Sequence, residues 1–114
     1  MELQYSEVAG DIRLLELIGR LDINGVSEIE NEFSERCTGE QPRVIVDLSE
    51  VDFLASIGIR LLTLNAKSIA GRGGRMVLLR PQPAVRQILE ITGIPAIIPV
   101  HDGLESAQAA VIAG

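Results

Sequence analysis

Apolar residues along the chain follow two periods, one of two residues and one of three to four, and the period changes from segment to segment. Leu3 to Val8 alternates weakly and Ile12 to Ile18 is more uniformly apolar, with Gly10 and Asp11 between them. Two such runs around a short glycine turn predict a β-hairpin. From Asp22 the pattern changes: Val26, Ile29 and Phe33 recur at three and four residues, while Glu28, Glu30, Glu32 and Glu35 fall on other faces. This is the signature of an amphipathic helix, with the glutamates as its solvated side. Val44, Ile45 and Val46 then mark a buried strand over Arg43 to Leu48, followed by a polar break from Asp47 to Asp52 and a helix from about Ile57 to Ala70.

Gly71 to Gly74 supply a helix stop and a tight turn. They follow a helix and precede a strand, the reverse of a nucleotide-binding loop. Met76 to Leu79 is a fourth strand. Pro83 suits the first turn of a helix that places Val85, Ile88, Leu89 and Thr92 on one face and closes at Gly93. Ala96 to Ile98 reads as a brief last strand, and Asp102 as the cap of a final helix holding Leu104, Ala107, Val111 and Ile112. The order ββαβαβαβα predicts an α/β fold, a mixed sheet of four to five strands covered by about four helices. A chain of 114 residues with 46% hydrophobic content suits one domain, residues 1–114.

Only Tyr5, Phe33 and Phe53 are aromatic, so aliphatic side chains from interleaved elements must fill the core. A net charge of −6 argues against direct nucleic-acid binding, which needs clustered cations to displace counterions from phosphates. The amino terminus has no basic region followed by an apolar one, so no secretory signal is expected. No apolar run approaches the roughly 20 residues that span a bilayer. With a single cysteine, Cys37, and no disulfide to form, a cytoplasmic protein that is not membrane-embedded is expected. Cys37 itself reads as a small residue near a helix end rather than a reactive thiol.

The segment from Val44 to Ile59 carries the candidate chemistry: a buried strand, a break, then Ser56 and Gly58 at a helix start. Ser56 is placed like an N-cap, accepting a hydrogen bond from first-turn amides at the positive end of the helix dipole. The same place suits a phosphoryl group. Counting about 100° per residue, Ile59, Leu62, Ala66, Ile69 and Ala70 form the expected core stripe of this helix. Ile57, Leu61 and Leu64 fall on the opposite side, either packed on a neighbouring helix or exposed for a partner. Ser56, Arg60, Thr63 and Lys67 lie between the two stripes, with two cations suited to an acidic partner surface.

These residues resemble the STAS domain family of bacterial anti-sigma factor antagonists, whose strand, loop and helix junction bears an Asp-Ser-Ser/Thr-Gly signature. The four positions here read Ala55, Ser56, Ile57 and Gly58. GRLDINGVSEIENEF from Gly19 is similar to the family's Gly-x-Leu-Asp segment and its helix, and GGRMVLLRPQPAVRQILEITGI from Gly73 to its closing strand and helix. The resemblance implies phosphorylation at Ser56 by an anti-sigma factor that is also a serine kinase, and a serine phosphatase that reverses it. Taken with the second stripe and the cationic edge of the helix, it gives Asp22, Ala55, Ile57, Gly58, Arg60, Leu61, Leu64 and Lys67 as the expected partner contacts. A phosphate there would place about −1.5 to −2 charge beside an apolar and basic patch, weakening partner binding without a change of fold. Arg60, four residues on, either pairs with that phosphate or stays solvated.

Ala55 removes the signature's carboxylate and Ile57 replaces a hydroxyl residue with a large hydrophobe. These departures favour an alternative, a STAS adaptor not controlled by phosphorylation, serving a lipid-transport or signalling complex; the resemblance also admits small-ligand binding between helix and sheet, with no residue pointing to a particular ligand. Catalysis is not expected. The only histidine, His101, sits in a late turn and no Gly-x-Ser-x-Gly elbow surrounds Ser56. Carboxylates are scattered without ligand spacing, so neither metal nor cofactor is expected. A response-regulator receiver would match Asp47, but paired acidic residues after a first strand are missing and the opening hairpin breaks its alternation.

Overall fold

A computed structural model describes residues 1–112 of the chain. Its five strands lie side by side in sequence order: β1 (Glu2–Val8), β2 (Ile12–Leu21), β3 (Arg43–Leu54), β4 (Arg75–Leu79) and β5 (Val100–His101). β1 runs antiparallel to β2, and each later pair is parallel. The helices are α1 (Ile23–Glu35), α2 (Ser56–Gly71), α3 (Pro83–Ile91) and α4 (Leu104–Ile112). Each of the first three links neighbouring parallel strands, and right-handed crossovers of this kind place successive helices on one sheet face. Strand side chains divide accordingly. Leu15, Leu17, Val44, Val46, Leu48, Met76 and Leu78 join the core under α1 to α3. Ile12, Leu14, Ile45, Val77 and Leu79 meet Ala107 and Val111 of α4 on the other face.

The expected order of elements holds, with displaced edges. β3 does not stop at Leu48: it continues through the polar stretch to Leu54, paired with a β2 that itself reaches Leu21. Two register shifts, after Glu16 and after Gly19, break the period of two along this stretch, and bulges of this kind hide a strand from pattern reading. Asp47 is a buried strand residue whose Oδ1 accepts the Ser49 backbone N–H at 2.9 Å.

The last strand is Val100–His101, not Ala96 to Ile98. Pro95 lies in the first turn of a 3-10 turn over Ile94–Ala96, and the Pro99 carbonyl accepts the Leu78 N–H at 2.9 Å just before β5. His101 therefore belongs to a strand rather than to a surface turn. Asp102 does not cap α4. The first-turn amide of Ala107 donates to the Gly103 carbonyl at 3.0 Å, while the Asp102 carboxylate pairs with Arg86.

Candidate functional site

Two helix starts meet at the carboxyl ends of β2 and β3. α1 is capped by a side chain: Asp22 Oδ1 accepts the Gly25 N–H at 2.9 Å. That bond, helped by Arg20, holds the Asp22 carboxyl below its ordinary range. Gly25 is required there, because a Cβ would stand 1.9 Å from the Arg20 carbonyl oxygen. β2 and α2 are stitched together by the Ala55 N–H, which donates to the Leu21 carbonyl at 3.1 Å.

α2 starts differently from the expectation. Its N-cap is Ala55, and no side chain caps it; Ser56 is the first helical residue and is exposed. The Ala55 carbonyl accepts the N–H groups of Gly58 and Ile59, leaving those of Ser56 and Ile57 outside the helical ladder. The Ser56 hydroxyl is thus released from the structural task that the N-cap reading gave it.

Further along α2 the two stripes are less clean than the helical wheel implies. Leu62 and Ile69 are buried, Ile59 and Ala66 are half-buried, and Ala70 is exposed. Asn65 takes an unexpected inner place, 8% exposed, with its Nδ2 donating to the Leu61 carbonyl at 2.9 Å. The opposite stripe splits. Leu61 is 7% exposed and packs into the core shared with α1, while Ile57 at 36% and Leu64 at 53% face solvent.

Between α1 and the first two turns of α2 lies an open cleft of about 480 Å³, lined by Val26, Glu30, Ser56, Ile57, Arg60, Leu61 and Leu64. Five of the expected site residues meet there. Gly58 is buried behind them against Leu21, Asp22 stands at the start of α1, Ala55 is half-buried at the junction, and Lys67 is exposed one turn past Leu64. Val26 and Glu30 form a wall the sequence reading missed, because both fitted the ordinary amphipathic pattern of α1. Beside the cleft's helix starts, the Arg20 guanidinium lies 4.2 Å over the Phe53 ring and its Nε is 3.3 Å from Asp22. Adjacent strand positions bring Arg20 and Phe53 together, a pairing visible only once β3 is known to extend that far.

Elsewhere, Cys37 lies just past the end of α1, buried, with its thiol pushed up to about 12 by that burial. Arg13 holds the turn around it, donating to the carbonyls of Arg36 at 2.8 Å and Thr38 at 2.6 Å. No group of three or more candidate metal ligands occurs among the described residues. Among them too, no helix is long and apolar enough to cross a membrane.

The chain matches the STAS domain family over residues 5–107. It is 33% identical over 94 residues to BtrV of Bordetella bronchiseptica, named as a candidate anti-sigma factor antagonist, covering 82% of this chain and 81% of that one. The fold superimposes on an anti-sigma-factor antagonist (STAS) domain protein of Planctomyces limnophilus with a TM-score of 0.85, 26% identity and 96% coverage of both chains. The Bacillus cell fate determinant SpoIIAA in its phosphorylated form shares the fold at a TM-score of 0.69 and 20% identity, over 96% of this chain and 99% of that one.

Proposed function

The chain belongs to the STAS domain family, and we propose from that premise that it is an anti-sigma factor antagonist. It binds an anti-sigma factor through the surface around α2 and so frees a sigma factor. Phosphorylation of Ser56 by that anti-sigma factor, acting as a serine kinase, ends the interaction, and a serine phosphatase restores it. The protein's part is to be bound and modified rather than to catalyse, and it needs no cofactor.

The observation that carries this reading is the Ser56 hydroxyl: exposed, uncommitted to capping, and on the rim of an apolar cleft. A phosphate placed there meets the positive end of α2 and the amides of Ser56 and Ile57, so the modified helix start is electrostatically favourable. The same phosphate brings charge to a surface whose partner would have to desolvate it. A cost of about 3 kcal/mol would weaken association roughly a hundredfold. The phosphorylated Bacillus SpoIIAA of the same fold supports the modification.

A second reading, a STAS adaptor without phosphate control, draws on Ala55 and Ile57, which depart from the family signature. Titrating purified serine-kinase-type anti-sigma factors of the same genome with wild-type protein and Ser56→Asp separates the two. The switch predicts tight binding by the wild type and about a hundredfold loss in the folded variant. Equal binding by both would favour the adaptor.

A further inference from the structure

We infer that the cleft between α1 and α2 is a slot for an amphipathic helix of the anti-sigma factor, with Ile57 as a specificity determinant. The inference rests on the function proposed above and names the chemistry of the partner. Four aliphatic side chains, Val26, Ile57, Leu61 and Leu64, form the floor and one lip of the cleft. Ile57 to Leu64 spans seven residues of α2, about 10 Å along the axis. That length fits two turns of a docked helix, each presenting one aliphatic side chain. With Leu64 53% exposed, the cleft lies too open to enclose a small ligand, which ordinarily needs most of its surface covered.

Charge selects the partner and its orientation. Arg60 on the α2 wall and Glu30 on the α1 wall both line the cleft, yet neither makes an ion pair with the other or with any described residue. Lys67 extends the cationic wall by two turns beyond Arg60 in a chain whose net charge is −6. A complementary helix therefore turns acidic residues toward α2 and basic residues toward α1. Ile57 is 36% exposed. It adds apolar surface at the mouth of the slot, beside the serine whose phosphorylation would close it.

The probe is whichever purified serine-kinase-type anti-sigma factor of the same genome binds the wild-type protein, with affinities read by calorimetry. Ile57→Thr is expected to weaken binding about tenfold through lost apolar contact. Leu64→Asp should weaken it about a hundredfold by placing a carboxylate in the slot. Both side chains reach solvent, so urea midpoints should stay at the wild-type value. Glu30→Lys and Arg60→Glu, surface changes on opposite walls, should each weaken binding about three- to tenfold. If Ser56→Asp weakens binding while Ile57→Thr, Leu64→Asp and Glu30→Lys all bind like wild type, the slot is overturned and the phosphorylation switch stands. If no such anti-sigma factor binds the wild type, the proposed function fails and the slot with it.

Discussion

Gly58 has no room for a methyl group: a Cβ there would lie 2.8 Å from Leu21 Cγ and 2.9 Å from the Leu21 carbonyl oxygen. The glycine of the family-like signature is therefore a packing residue that lets α2 begin directly against the end of β2. Gly58→Ala should cost about 1–3 kcal/mol, as overpacking does, measured by urea unfolding. Asp22 works on the neighbouring helix start. Its carboxyl titrates lower when folded than unfolded, so its contribution is complete above the ordinary value of 3.8 and is lost as pH falls through the lower folded value. The melting-temperature gap between wild type and Asp22→Ala should accordingly be open at pH 7 and narrow on acidification below pH 4. Cys37 follows opposite logic: with its thiol near 12, native protein at pH 8 should alkylate far more slowly with iodoacetamide than urea-unfolded protein. Comparable rates in the two states would contradict its burial.

At the level of elements, the decisive feature is a helix start that no side chain caps. Because Ser56 occupies the first helical position and not the cap, Ser56→Ala should shift stability by less than about 0.5 kcal/mol, against roughly 1 kcal/mol for loss of a true serine cap. Ser56→Asp should leave the fold intact or stabilise it by about 0.3–1 kcal/mol through the helix dipole. Urea titrations of both variants decide this before any binding is measured. The cap lies one residue earlier than the sequence suggests because Ala55, with no polar side-chain atom, occupies the extended position that a capping side chain ordinarily marks. Other boundaries failed for equally local reasons. β3 beyond Leu48 was hidden by two register shifts, and the final strand was displaced by an apolar, proline-rich run in which Ile94 and Ile98 are buried without being in a strand. Unbroken periodicity locates α1 and the inner face of α3, although Ile88 is half-buried and Thr92, expected on that face, is exposed at the C-cap. Val26, Ile29 and Phe33 are buried in α1, and Val85 and Leu89 in α3.

On the scale of the whole molecule, three crossovers stack α1, α2 and α3 on one face of the sheet, and α4 alone closes the other. This arrangement brings the starts of α1 and α2 to the carboxyl ends of β2 and β3, so residues far apart in the chain, Asp22 and Ser56 among them, frame one end. Most of the candidate site was legible from the α2 segment alone, because five of its residues share the cleft. The α1 wall was not, since Val26 and Glu30 follow a helical pattern common to any core-facing helix and only the placing of α1 beside α2 in the fold makes them line a cleft. The proposed switch requires that Ser56 receive a phosphate that controls partner binding. It is tested by incubating the protein with ATP and a serine-kinase-type anti-sigma factor that binds it, then locating phosphate by intact mass and peptide sequencing. One phosphate on Ser56, absent from Ser56→Ala, is the predicted result. A protein that binds this kinase yet stays unmodified, or carries its phosphate on another residue, would contradict the switch.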